Sequence, residues 1–191
     1  MDEGVISLLS RGEALELVRS KVRDERYVRH MLAVEAIMRR LAERLGEDVE
    51  KWGLAGLLHD IDFEETRADP ARHGLLAAAE LEGRVPSEVI EAIKAHNFEN
   101  TGVEPRSPMA KALIAADAAS GLLVACALVM PGRRLSELRV ETVERKFRSR
   151  DFARGVDRRR VAACEELGLT LTEFLHLSLE AMRGVASELG L

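Results

Sequence analysis

The chain has 191 residues, enough for one domain with a substantial core, or a domain with a small helical extension. Hydrophobic residues make up 47% and aromatics only 4%, with many Ala, Leu, Glu and Arg, which argues against a strand-rich fold and for an almost entirely helical one. Cys126 and Cys164 are too few and too far apart for a disulfide framework or a zinc ribbon, and they read as buried small hydrophobes of a reducing cytosol.

The N-terminus, from Met1 to Ile6, is acidic and lacks the long apolar run of a secretory signal, so a cytoplasmic location is expected. Ser10 and Glu13 form a capping-box pattern that opens a short helix to about Val22. A longer helix starts at Asp24, with Val28, Leu32, Ile37, Leu41 and Leu45 near helical spacing and Gly46 as its end. His30 sits on that apolar face, where a lone histidine is usually a satisfied core residue. Asp48 caps a third helix that runs through Trp52 and Leu54 to Leu57-Leu58 and ends in His59-Asp60. Neighbouring side chains on a regular helix diverge by about 100°, so these two can turn toward one ion only where the helix is ending.

Residues 61 to 69 are acidic, and Pro70 suits the first turn of the next helix, which would place His73 in that turn opposite the loop of Asp60. Ala77, Ala78 and Ala79 would let this helix come close to its neighbours. Pro86 and a capping Ser87 start another helix, through Val89, Ile90 and Ile93 to His96, ahead of a loop over residues 97 to 107. The plainer reading of His96 there is a residue that merely complements the helix dipole. Pro108 opens an apolar helix that carries Asp117 among alanines, where an ionised carboxylate is costly unless it is paired or bound to a metal.

Residues 112 to 130 match a membrane span in length, but an early carboxylate, small residues and no aromatic belt point to a buried bundle helix instead. Pro131-Gly132 breaks it. From residue 131 to residue 160 there are eleven Lys or Arg against five Asp or Glu, although the whole chain carries −5. This segment would attract an anionic ligand; the plain alternative is a solvated arginine-rich surface. No aromatic interleaving or known module points to nucleic acid. Two amphipathic helices, over residues 157 to 167 and 171 to 189, are expected to close the chain, with Gly168 between them. His176 reads as a surface or core residue.

The order His30, His59-Asp60, His73, His96, Asp117 resembles the HD-domain superfamily of metal-dependent phosphohydrolases, in its six-ligand, two-metal branch. The resemblance covers roughly residues 24 to 130, with residues 131 to 191 as a C-terminal helical extension of the same domain. It implies a helical bundle with those C-terminal helices packed on the core. It also implies a first ion held by His30, His59, Asp60 and Asp117, and a second held by His73 and His96, with Asp60 bridging. Nitrogen and oxygen donors suit two divalent transition metal ions, iron or manganese first, with cobalt, nickel or zinc also compatible.

The implied reaction is cleavage of a phosphate mono- or diester, nucleotides included, by a metal-bridging hydroxide. Two other readings remain open: a diiron oxygenase on the same frame, and a non-catalytic signalling module, which would be expected to have lost ligands. One departure stands out, because the frequent His-Asp-Ile-Gly-Lys reads His59-Asp60-Ile61-Asp62-Phe63, without the phosphate-holding lysine. Lys94, Arg133, Lys146 and Arg148 are candidates for stabilising the phosphate, and each has an ordinary surface-charge reading. Glu64, with Glu65 beside it, is the candidate to protonate the leaving group, and an ordinary loop acid otherwise. The expected partner is a small anionic phosphate ester, with no membrane; the sequence fixes neither the substrate nor an oligomeric state.

Overall fold

The computed structural model describes residues 8–191. The expectation for residues 1 to 6 lies outside the described residues. The helices are α1 (Arg11–Lys21), α2 (Glu25–Leu45), α3 (Val49–Leu58), α4 (Phe63–Thr66), α5 (Leu75–Leu81), α6 (Ser87–Ala95), α7 (Phe98–Thr101), α8 (Pro108–Leu128), α9 (Val140–Arg148), α10 (Arg158–Ala162), α11 (Leu171–Gly184) and α12 (Ala186–Leu189). There is no strand among the described residues, so the protein is an all-α bundle.

Local chemistry sets the helix ends. Ser10 and Glu13 form the reciprocal capping box of α1, while Asp24 and Asp48 each accept from backbone N–H groups at the starts of α2 and α3. Gly46 closes α2 in the left-handed region. α2 and α3 then fold back on each other at short range, because Gly56 faces the backbone of Glu35. A Cβ at Gly56 would lie 2.8 Å from the Glu35 Cα. Glu35 itself is buried, and its carboxylate accepts from Arg11 of α1 and Arg39 of α2, which fastens α1 to the pair.

The apolar helix α8 is the axis of the bundle. It is long and apolar enough to cross a membrane, yet α2, α3, α6, α9, α10 and α11 all pack against it. Leu113, Leu122 and Leu123 are fully buried along it, each contributing roughly 1.5–3 kcal/mol relative to exposure. The C-terminal helices pack on the core as expected: α11 lies across α2, α8 and α9, and α12 rests on α2.

Several boundaries differ from the sequence reading. Pro70–Arg72 forms a single 3-10 turn, and His73 follows it in extended backbone instead of opening a helix. Gly74 then starts α5 at φ 84, with no room for a side chain, since a Cβ would meet the Ile93 carbonyl at 2.8 Å. Ser87 is the first residue of α6 and makes no cap; Pro86 occupies the cap position. The segment after His96 contains the short helix α7. The two expected C-terminal helices are both interrupted, the first passing into a 3-10 stretch at Ala163–Leu167 and the second breaking at Val185. Ala77 and Ala78 are buried but Ala79 is exposed, and His176 lies on the surface.

Candidate metal centre

Four elements deliver the histidines to one place. His30 comes from the first half of α2, His59 from the end of α3, His73 from the turn before α5 and His96 from the end of α6. Each imidazole has its Nδ1 engaged away from the centre. His59 Nδ1 donates to the Gly56 carbonyl at 2.9 Å, and His96 Nδ1 donates to the Ile93 carbonyl at 2.5 Å. Both are the i−3 carbonyls of a helix that is ending. His73 Nδ1 donates to Asp62 Oδ1 at 2.9 Å. Ser120 gives its own proton to the Asp117 carbonyl, so its oxygen accepts from His30 Nδ1 at 3.1 Å.

These partners hold the proton of each ring on Nδ1 and turn Nε2 inward, so that each neutral ring offers its Nε2 lone pair to the centre. The Nε2 atoms converge on Asp60. His59 and His73 lie 3.3 and 3.2 Å from Asp60 Oδ1, His96 lies 3.5 Å from it, and His30 lies 3.6 Å from Oδ2. Two donors each about 2.1 Å from one ion, at 90–110°, sit about 3.0–3.4 Å apart, close to these spacings. The ligand atoms form two triads that share the carboxylate: His30, His59 and Asp60, and Asp60, His73 and His96.

The electrostatics call for a cation. His59 Nε2 is a buried nitrogen with no hydrogen-bond partner, and burial pushes its imidazole down to about 4, so it keeps an unshared lone pair. Burial opposes a charge on His73 as well, but Asp60 and Asp62 on either side outweigh it and raise that ring to about 10. Burial alone would raise Asp60; the surrounding imidazoles instead hold it well below the usual carboxylate range. Lone pairs facing a carboxylate in a dry site repel unless a positive ion sits between them. The donor set therefore fits divalent metal ions, with imidazole and carboxylate ligands and no thiolate.

Asp117 stands at the edge of the cluster, outside both triads. Its Oδ1 is 3.2 Å from His30 Nε2 and its Oδ2 accepts from Arg160 at 3.0 Å. Burial favours its neutral form, yet His30 keeps it ionised, far below the usual range.

Outside the histidines the structure changes the picture. Glu64 does not reach the cleft: its carboxylate accepts from the backbone N–H groups of Arg23 and Asp24, just ahead of α2. Glu65 is exposed. Lys94 pairs with Glu91 on the surface of α6, Arg133 is exposed, Lys146 lies over the Phe152 ring and Arg148 stands beside Glu144. None of them lines the cleft around the histidines. The cleft is completed instead by Arg160 of α10.

The cation in the cleft is Arg160. Its guanidinium donates to Asp117, to the His96 carbonyl at 2.7 Å and to Glu99 at 3.0 Å. The departure at Asp62-Phe63 also finds its reason. Asp62 holds His73 with Oδ1 and accepts from Gly74 N and Ala77 N with Oδ2, so it supports the ring and starts α5 together. Phe63, at the position of the missing lysine, stands edge-on to the His73 ring with centroids 5.4 Å apart. Asn97 donates to the carbonyls of Pro70 and His73 and ties the turn to the end of α6.

A helical bundle that gathers four histidines and an aspartate in one place has the donor set of a metal-binding domain. The family model for the HD domain matches residues 27–122, half of the chain. The protein belongs to the HD domain family, part of the superfamily of metal-dependent phosphohydrolases. Ribonuclease Y 2 of Bdellovibrio bacteriovorus is 32% identical over 99 residues, covering 51% of this chain and 17% of that relative's length. No solved structure matches the chain.

Proposed function

We propose that the protein hydrolyses a phosphate mono- or diester, nucleotide esters included, with two divalent transition metal ions, iron or manganese first. The observation that carries this reading is the pair of ligand triads meeting at Asp60. His30, His59 and Asp60, with Asp117 beside them, would hold one ion, and His73 and His96 the other, with Asp60 shared. Such ions supply Lewis acidity and lower the pKa of a water between them.

The chain's own groups do the rest. Asp62, Ser120 and the carbonyls of Gly56 and Ile93 fix each ring with Nε2 inward, which keeps the donors preorganised. The cleft of about 380 Å³ has room for a phosphate ester, and Arg160 stands in its wall to take non-bridging oxygens. Asp157 lines the same cleft but is held ionised, first by its bond to the Arg159 side chain. Asp60 and Asp117 are held ionised in the same cleft. The relative's name, a ribonuclease, agrees with a phosphodiester substrate. The two buried free cysteines suit a reducing cytoplasm.

The test is turnover of a panel of phosphate monoesters, diesters and nucleotides by manganese-loaded protein without oxygen. Release of phosphate or nucleotide that disappears in Asp117→Ala supports hydrolysis at this site. If no ester is cleaved with any metal, while the iron form consumes oxygen with a polyol or a phosphonate, the oxygenase takes its place.

A further inference from the structure

Beside the metal cleft lies a second concavity, of about 520 Å³, whose wall it shares at Gly155, Val156 and Asp157. Five arginines line it, Arg148, Arg150, Arg154, Arg158 and Arg159, against the single carboxylate of Asp157. We infer that this basin is an anion subsite that selects substrates carrying a second phosphate, remote from the one cleaved at the metals. The inference rests on the hydrolase reading for the identity of the first site.

The basin is a shaped structure, because one of its arginines is spent on building it. The Arg158 guanidinium donates to the carbonyls of Ala153 at 2.6 Å and Val156 at 2.7 Å, and also to those of Phe147, Ser149 and Phe152. The segment from 147 to 156 is thus wrapped around a fixed positive charge. That wrapping holds Ala153 at φ 47, in the left-handed region that a residue with a Cβ rarely adopts.

The other arginines are exposed and weakly committed. Among the described residues Arg154 pairs only with Asp151, itself 90% exposed, and Arg148 lies 3.7 Å from Glu144. Arg150 has no carboxylate within 4.0 Å among the described residues. Exposed pairs of this kind are weak, so a phosphate that accepts from two guanidinium forks displaces them readily. Arg159 is the exception, held by Asp157 through two bonds. The subsite therefore centres on Arg150 and Arg154, with Gly155 between it and the metal cleft.

A nucleoside 3′,5′-bisphosphate and a 5′-phosphorylated oligonucleotide both present this chemistry, one as a small metabolite and the other as a chain. Binding of a nucleoside 3′,5′-bisphosphate, the corresponding 5′-monophosphate and a 5′-phosphorylated tetranucleotide should be measured by calorimetry. The proteins are the wild type and the Arg150→Ala/Arg154→Ala variant, both manganese-loaded, and the ester oxygens of the ligands are replaced by methylene so that none is consumed. The wild type should bind the bisphosphate at least tenfold more tightly than the monophosphate, and the variant should lose that advantage while its monophosphate affinity stays within twofold. Preference for the tetranucleotide would identify a chain substrate, and parity with the bisphosphate a small one.

Equal affinity of the wild type for mono- and bisphosphate, or an unchanged preference in the variant, overturns the subsite. Turnover of the unmodified esters by the manganese-loaded wild type then separates the two claims. Absence of turnover with the binding preference intact removes the hydrolase reading and leaves the subsite standing.

Discussion

The metal centre and the arginine basin adjoin each other and are built on opposite principles. In the centre every ring is buried or half-buried, and each Nδ1 is tied to a fixed oxygen, so position is set before any ligand arrives. In the basin the side chains are mostly exposed, their ion pairs are weak, and only the backbone path is fixed, by Arg158. A buried site of preorganised donors resists salt and punishes the loss of any support. An exposed cluster of like charges gives attraction that salt screens over about 8–10 Å, and it tolerates substitution. The proposed chemistry needs the first kind of construction, and the proposed selection among anions needs the second.

Arg160 stands in the wall of the metal cleft, and its removal should have the largest effect on turnover. Arg160→Ala should lower kcat on any ester that the protein cleaves by about 10²–10³, as the loss of one preorganised donor to a transition-state oxyanion does. Arg160→Lys should restore part of this while metal content stays unchanged. Loss of metal in both variants would instead make Arg160 a positioning residue for Asp117.

The next effect falls on the supports of the metal centre. Asp62→Ala strips His73 of its Nδ1 acceptor, and metal affinity at the second ion should fall about 10–100-fold, measured by competition with a chelator. The same change orphans the buried N–H groups of Gly74 and Ala77 and should cost about 2 kcal/mol or more in denaturant unfolding. An unchanged affinity would break the contrast between a supported and an unsupported site.

Glu64→Ala should cost about 1 kcal/mol through the backbone ahead of α2, with metal content and kcat unchanged. The smallest effect belongs to the basin: Arg150→Ala/Arg154→Ala should shift unfolding by no more than about 0.5 kcal/mol. A large loss of stability there would show that those arginines build the fold.

Much of the metal centre was legible in the chain because its donors are rare residue types at helix ends. His59-Asp60 and His96 announced themselves by standing where apolar periodicity stops, and His30 and Asp117 by interrupting apolar faces. What escaped was whatever acts through long-range contact. Arg160 is one of eleven cations in its segment, and only folding brings it to Asp117, 43 residues away. Asp62 and Phe63 read as the loss of a phosphate-binding lysine, whereas they support His73. Glu64 looked like an acid because it follows the ligands in sequence; a helix end turns it the other way, toward the start of α2. The turn at 70–73 was misread as a helix start because Pro70 suits both, and the left-handed Gly74 behind it was the overlooked signal.

The central claim is that two ions share Asp60, and counting metal per chain tests it most directly. After loading with manganese and gel filtration, the wild type should carry two ions, His73→Ala about one, and Asp60→Ala none. Equal stoichiometry in the wild type and in Asp60→Ala would contradict the account.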